Sequence, residues 1–446
     1  MPVNRRDFLA ASGWALAAGI ADAGPPGEAA AGAGDLSSWA AVRAQFNLSP
    51  EWLHFSQFFI VSHPRPVREA IERYRRLLDA SPFETVEHGM GFDAPPAGAS
   101  AADTLPLRAQ RAAAEYIGGR AEEVALTDCT TTGLALTYNG LALKAGDEIL
   151  ATSHEHFVHH EAIRLACERS GASSRRVSLY DAPQTASVDE MAERLRRAIG
   201  PRTRVVALTW VHSSSGVKLP IQTLAGVVRE ANRNRDAADR ALLVLDAVHG
   251  FGNQDLDLAA SGADFAAAGT HKWIFAPRGT GILWAPARNW PLLRPTIPSF
   301  CAPEVFAAWE DGRSPGATAQ ASWVSPGGFK AYEHQWAMAD AFRFHRQIGR
   351  RRIAERIAAL NTLCKDGLAR IPGVTVLTPR DAGLSAGIIC FEIAGRSPQA
   401  IVAGLRERRV VASTSPYRQS VARLAPSLVN DEREVEAALR AVRAIA

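Results

Sequence analysis

The chain predicts an α/β fold, a mostly parallel sheet flanked by helices, followed by a smaller C-terminal α+β domain. Three observations predict it. From residue 121 onward, short apolar runs alternate with amphipathic stretches at the spacing that strand–helix–strand crossovers need. After about residue 285 that alternation stops. The chain's 446 residues suffice for a large domain plus a smaller one.

In chain order, residues 1–23 come first. Asn4-Arg5-Arg6-Asp7-Phe8-Leu9 resembles a twin-arginine export signal, with a modestly apolar segment 9–20 and the small-x-small sequence Ala21-Asp22-Ala23 for cleavage near Ala23. The segment is too short and too rich in Ala and Gly to anchor stably in a bilayer. A periplasmic enzyme, exported folded by the twin-arginine machinery, is the expectation. Residues 24–35 are Ala/Gly/Pro-rich and predict a flexible linker. An N-terminal arm over 36–65 leads to a helix over 65–78, with prolines tolerated in its first turn.

The large domain, 66–300, carries predicted strands at 124–127, 148–151, 174–178, 204–209, 242–245 and 264–268. Predicted helices at 133–143, 158–170, 188–199 and 222–232 fall between them. Ligands on such sheets bind at the strands' carboxyl ends. An irregular connection, 301–330, precedes the domain 331–446. There the pattern predicts a long helix bending near Gly349, strands at 374–377, 387–393, 409–412 and 421–424, and helices at 398–408 and 431–446.

Bulk properties exclude several classes. Hydrophobic residues make up 47% and charged residues 22%, as in a soluble enzyme, and a net charge of +4 comes without a basic run that would bind nucleic acid. Five scattered cysteines, an odd number with no CxxC pair, argue against a disulfide framework and a zinc site.

Chemistry concentrates after the strands. Lys272, in Gly269-Thr270-His271-Lys272-Trp273, follows Asp246 by 26 positions, and Asp246 ends the apolar run 241–245. An acid at a strand tip followed by one lysine in a Gly/Thr/His loop suits pyridoxal phosphate (PLP). The lysine holds the aldehyde as an imine, and the carboxylate keeps the pyridine nitrogen protonated. Thr130, Thr131 and Thr132 join a strand to a helix, where free N–H groups and hydroxyls cradle a phosphate, with Thr131 and Thr132 the foremost contacts. In Ser153-His154-Glu155-His156-Phe157-Val158-His159-His160, two alternatives stand. His156 stacks on the cofactor ring, or the His/Glu cluster ligates a metal. Stacking is favoured, and at least two of the four histidines are bystanders. Ser213 and His249 can reach the cofactor's phenolic oxygen, and Thr270 and His271 can add bonds to the phosphate.

Together with Arg278-Gly279-Thr280-Gly281 and Ser214-Ser215-Gly216-Val217-Lys218-Leu219-Pro220, these segments resemble the class V branch of the fold-type-I PLP enzymes, with the isopenicillin-N-epimerase-like proteins most alike. The resemblance spans roughly 45–445. It implies a fold-type-I transferase with a sheet of the seven-stranded type, Asp246 on the pyridine nitrogen, Lys272 as the cofactor lysine and His156 stacked. It also implies a homodimer whose partner chain helps hold the phosphate, matched here by Ser325, and Arg423 as the clamp for a substrate carboxylate. There are two departures. The asparagine that related enzymes use near Ser213 is missing, and no cysteine stands in the loop before Arg423, which speaks against a desulfurase. The expectation is a PLP enzyme acting at the α-carbon of a small-molecule, amino-acid-type substrate. An aminotransferase is favoured over an epimerase or lyase. A metal-dependent hydrolase and a catalytically silent binding protein are the alternatives from other classes.

Overall fold

The computed structural model describes residues 34–92 and 103–446. The expectations for the export signal and most of the linker lie outside those residues. Seven strands form the central sheet: β1 (Val124–Thr127), β2 (Glu148–Thr152), β3 (Ser173–Val177), β4 (Thr203–Thr209), β5 (Leu242–Asp246), β6 (Phe265–Gly269) and β7 (Gly281–Trp284). Their spatial order is β1-β7-β6-β5-β4-β2-β3. The pairs among β2 to β6 are parallel, and β7 runs antiparallel to both neighbours. Six strands therefore share one carboxyl edge.

The strand β7 was not predicted. It is four residues long and follows the Gly/Pro-rich lysine loop, so it shows no period of its own; insertion between β1 and β6 buries every residue of it.

Both faces of the sheet's centre are covered, which is why β4, β5 and β6 read as nearly continuous apolar runs, while the edge strand β3 is polar and largely exposed. Leu243 and Leu245 point into one core with Met191, Leu195, Leu224 and Val228. Leu242 and Val244 point into the other, with Leu134, Tyr138, Ala162 and Ile163. The first layer includes α1 (Leu105–Ile117), α4 (Val188–Ala198) and α5 (Ile221–Ala231); the second includes α2 (Thr130–Gly140) and α3 (Phe157–Ser170). Helix α4 starts where Ser187 accepts a hydrogen bond from Glu190 N, and its apolar spacing buries Met191, Leu195 and Ala198.

Helix α2 begins three residues earlier than predicted, so the three threonines form its first turn. Gly133, read as its start, is internal because a Cβ there would lie 2.9 Å from Ala267 Cβ. That close approach seats the helix directly on β6.

The C-terminal unit contains β8 (Val374–Val376), β9 (Ile389–Ile393), β10 (Ser413–Thr414) and β11 (Ala422–Leu424), an antiparallel sheet in the order β10-β11-β9-β8. The strand expected at 409–412 does not join it. Val410–Val411 instead pairs in parallel with Leu53–His54, bringing Phe55 of the arm into the C-terminal core. The expected long helix is three pieces: Tyr332–Trp336, α6 (Met338–Ile348) and α7 (Arg350–Leu368), the last two separated by Gly349 at φ 95°.

Candidate active site

The carboxyl ends of β1, β4, β5 and β6 carry the polar residues. Asp246 closes β5 at 2% exposure, opposite Thr209 of β4 and Ala267 of β6, and its Oδ1 accepts from Val248 N at 3.0 Å. Burial pushes its carboxyl upward, while the nearby His159 and Lys272 oppose that shift. Lys272 follows β6. Burial, opposed by Asp246 and aided by Arg423, lowers its amine to about 8.

The lysine loop is stapled at both ends. Gly269 N donates to Thr130 Oγ1 at 2.7 Å, Thr270 N to Thr280 O at 3.1 Å and Ala276 N to Thr270 O at 3.1 Å. Phe275 adopts φ 57°, a left-handed conformation costing about 1–3 kcal/mol in a bulky residue. Edge-on packing against Phe46, 5.0 Å between ring centroids, holds it there.

The stapling also gives several of the expected cofactor contacts bonds within the chain. Thr270 Oγ1 pairs with Thr280 Oγ1 at 2.7 Å, and His271 Nδ1 donates to Thr280 O at 3.1 Å, so both brace the loop. Thr130 Oγ1 is likewise committed to Gly269. Ser325 is buried and its Oγ accepts from Leu126 N at 3.0 Å, an attachment within its own chain. His249 Nδ1 accepts from Trp273 Nε1 at 3.2 Å, and burial pushes its pKa far down, leaving a neutral ring. The first turn of α2 is open to an anion. Gly133 N is the first to find a helical carbonyl, Cys129 O, leaving the N–H groups of Thr130, Thr131 and Thr132 at the exposed end of the helix dipole.

The histidine cluster separates cleanly. His154 stacks on Tyr180, 4.0 Å between centroids at 6°, and His160 Nε2 donates to Thr152 O at 2.8 Å. His159 lies between Tyr138 and Glu155. Only His156 faces Lys272 and Arg423, whose charges, after burial, depress its pKa. Its Nδ1 accepts from Val158 N at 3.4 Å as the cap of α3, which leaves the ring neutral with its proton on Nε2. Among the described residues, no three His, Cys, Asp or Glu side chains converge to hold a metal ion, and no helix is long and apolar enough to cross a membrane.

Arg423, on β11, is 5% exposed. Its Nε donates to Ser413 Oγ at 3.3 Å, Nη1 to Ser213 O at 3.1 Å and Nη2 to Thr414 O at 2.7 Å, and its guanidinium lies 4.9 Å over the Phe58 ring. A guanidinium has five N–H donors, so one is left on each terminal nitrogen, the fork that grips a carboxylate. Among the described residues no carboxylate reaches it.

Two residues of the site escaped sequence reasoning. Tyr417 Oη bonds Ser213 Oγ at 2.8 Å and its ring stands edge-on to His156, 5.9 Å between centroids. Phe58 comes from the arm. Neither belongs to a motif; the nearest signal for Tyr417 was its place in the turn before Arg423.

A buried acid, a lysine with a lowered pKa, a helix N-terminus and a buried guanidinium with two open donors are a donor set that fits PLP and an amino-acid carboxylate. The family described as Aminotransferase class-V matches residues 99–441. An isopenicillin N epimerase of Amycolatopsis lactamdurans is 28% identical over 380 residues, 83% of this chain and 87% of that protein. Another, from Streptomyces clavuligerus, is 26% identical over 413 residues, 90% of this chain and 96% of that protein. The solved complex of the cystine C-S lyase C-DES with its product cysteine persulfide shares the fold, with a TM-score of 0.75 at 22% identity over 88% of this chain and 98% of that one.

Proposed function

This chain belongs to the aminotransferase class-V family of fold-type-I PLP enzymes, and we propose that it acts at the α-carbon of an amino acid or amino-acid-containing metabolite, as an aminotransferase. The observation that carries this is Arg423, a buried guanidinium with two open N–H donors beside Lys272 and no acid of its own. When bound, the cofactor supplies an electron sink for charge developing at the α-carbon. Asp246 would hold the proton of the pyridine nitrogen, the N–H groups of α2 would take the phosphate, and neutral His156 would lie against the ring. Arg423 fixes the substrate carboxylate. Lys272 Nζ, partly neutral near pH 8, takes the α-proton and returns one.

Epimerisation is the second reading, favoured by the near full-length match to two isopenicillin N epimerases. Persulfide chemistry is disfavoured. The loop before Arg423 carries Tyr417 instead of a thiol, and burial raises the Cys390 thiol to about 12. A half-reaction screen with a panel of amino acids separates the first two. Conversion of bound cofactor to its amine form supports aminotransfer. Loss of substrate configuration with the cofactor spectrum unchanged supports epimerisation, and no response to any amino donor removes both.

The proposal extends to assembly and location. Exposed Phe306, Trp309 and Phe329, the last at 80% exposure, form apolar surface suited to a second copy of this chain. Arg5-Arg6 supports export of the folded protein to the periplasm, where its substrate would be found.

A further inference from the structure

Behind Asp246 lies a sealed polar network that the chemistry above does not use. Glu155, 2% exposed, bonds Thr152 Oγ1 at 2.6 Å and the Thr209 hydroxyl, and it accepts from His159 Nδ1 at 3.0 Å. His159 Nε2 lies 2.6 Å from Tyr138 Oη, and both residues are fully buried. Thr209 is the cross-strand neighbour of Asp246, so their side chains share the sheet face that α3 covers.

The hydrogens can be counted. Tyr138 keeps its phenolic proton because burial pushes its pKa well up. Among the described residues that proton has one acceptor, His159 Nε2. With that proton donated to Nε2, the imidazole donates at Nδ1 and carries no net charge, against the pull of Glu155 and Asp246 that raises its pKa. Burial alone would raise the Glu155 carboxyl, but the hydrogen bonds from His159 and Thr152 pull it below the usual carboxylate range. The remaining neighbours do not neutralise it, since burial holds His212 at about 3 and His154 at about 4. A bare negative charge is thus locked one strand away from Asp246; with His159 neutral, Lys272 is the cation among the described residues that opposes it there.

We propose that Glu155 is a positioning residue for the cofactor site: its charge, held by Thr209, His159 and Tyr138, raises the proton affinity of Asp246 and so its grip on the protonated pyridine nitrogen. This rests on the PLP reading above. Tyr138 sets the device, because a phenol on Nε2 resists the proton that Glu155 and Asp246 would otherwise draw onto His159. Tyr138 also ties α2, which offers its N-terminus to the phosphate, to the segment carrying His156.

The test uses cofactor binding and the pH titration of the bound cofactor's visible absorbance. Glu155→Gln keeps the shape and removes the charge; Glu155→Asp keeps the charge and shortens the arm. The expected result for Glu155→Gln is a midpoint about one pH unit lower and PLP affinity about tenfold weaker. Glu155→Asp stays within about twofold of wild type. Tyr138→Phe frees Nε2 to take a proton, so its absorbance midpoint moves the same way. A wild-type midpoint in Glu155→Gln overturns the proposal, whatever the affinity does. Should that variant fail to fold, an unmoved midpoint in Tyr138→Phe overturns it alone. Failure of the wild-type protein to bind PLP at all would instead remove the function it rests on.

Discussion

Lys272 offers the sharpest quantitative check. Its amine is lowered from 10.5 to about 8, chiefly by burial and secondarily by Arg423, with Asp246 opposing. That difference corresponds to about 3 kcal/mol, an upper figure because part of the side chain still meets solvent. At pH 7 about 10% of the amine is then neutral, against about 0.03% for an ordinary lysine, roughly a 300-fold gain in the reactive form. The assay is trace acylation of the cofactor-free protein with acetic anhydride from pH 6 to 11, read by mass spectrometry of the peptide containing Lys272. The expected midpoint is about 8. Asp246→Asn removes the supporting anion and moves the midpoint lower; Arg423→Gln removes a repelling cation and moves it higher. The same depression is a stability cost that is full below about pH 8 and fades toward 10.5, because there the unfolded chain still binds a proton the folded one has released. A midpoint at or above pH 10, or an upward move in Asp246→Asn, would refute the reasoning.

Three further outcomes are expected. Arg423→Gln should raise KM at least about 100-fold for the amino acid that the half-reaction screen selects, as expected for loss of a buried charge-assisted pair, while PLP affinity changes far less. Gly216→Ala should destabilise the protein by about 2–4 kcal/mol in denaturant titrations. Its φ is 75°, and the added Cβ would lie 2.3 Å from Ile388 O, where the turn that carries Ser213 meets the C-terminal unit. Arg5→Lys with Arg6→Lys should leave the protein in the cytoplasm of a fractionated cell; continued export would discard the twin-arginine assignment.

Much of the fold was legible because burial on both faces writes itself into composition. The runs at 205–208 and 242–245 are apolar throughout, as only a central parallel strand allows. Asp246 and Lys272 were legible because a strand tip and a glycine-led loop are local signals. What the sequence left dark was tertiary. β7 is too short to carry a period, and Val410–Val411 pairs with an arm more than 350 residues away in sequence. Thr270, His271, His249 and Ser325 have the chemistry for cofactor contacts, and they also bond the Thr280 hydroxyl, the Thr280 carbonyl, the Trp273 indole and Leu126 N, which only coordinates reveal. Tyr417 and Phe58 reach the site through the packing of the C-terminal unit and the arm, with no motif to announce them.

The central claim is tested most directly by loading the protein with PLP, reducing with borohydride and sequencing its peptides by mass spectrometry. A visible band that bleaches, with one pyridoxyl increment on Lys272, is the predicted result. A protein that stays colourless in excess cofactor, or an increment on a different lysine such as the buried Lys365, would contradict it.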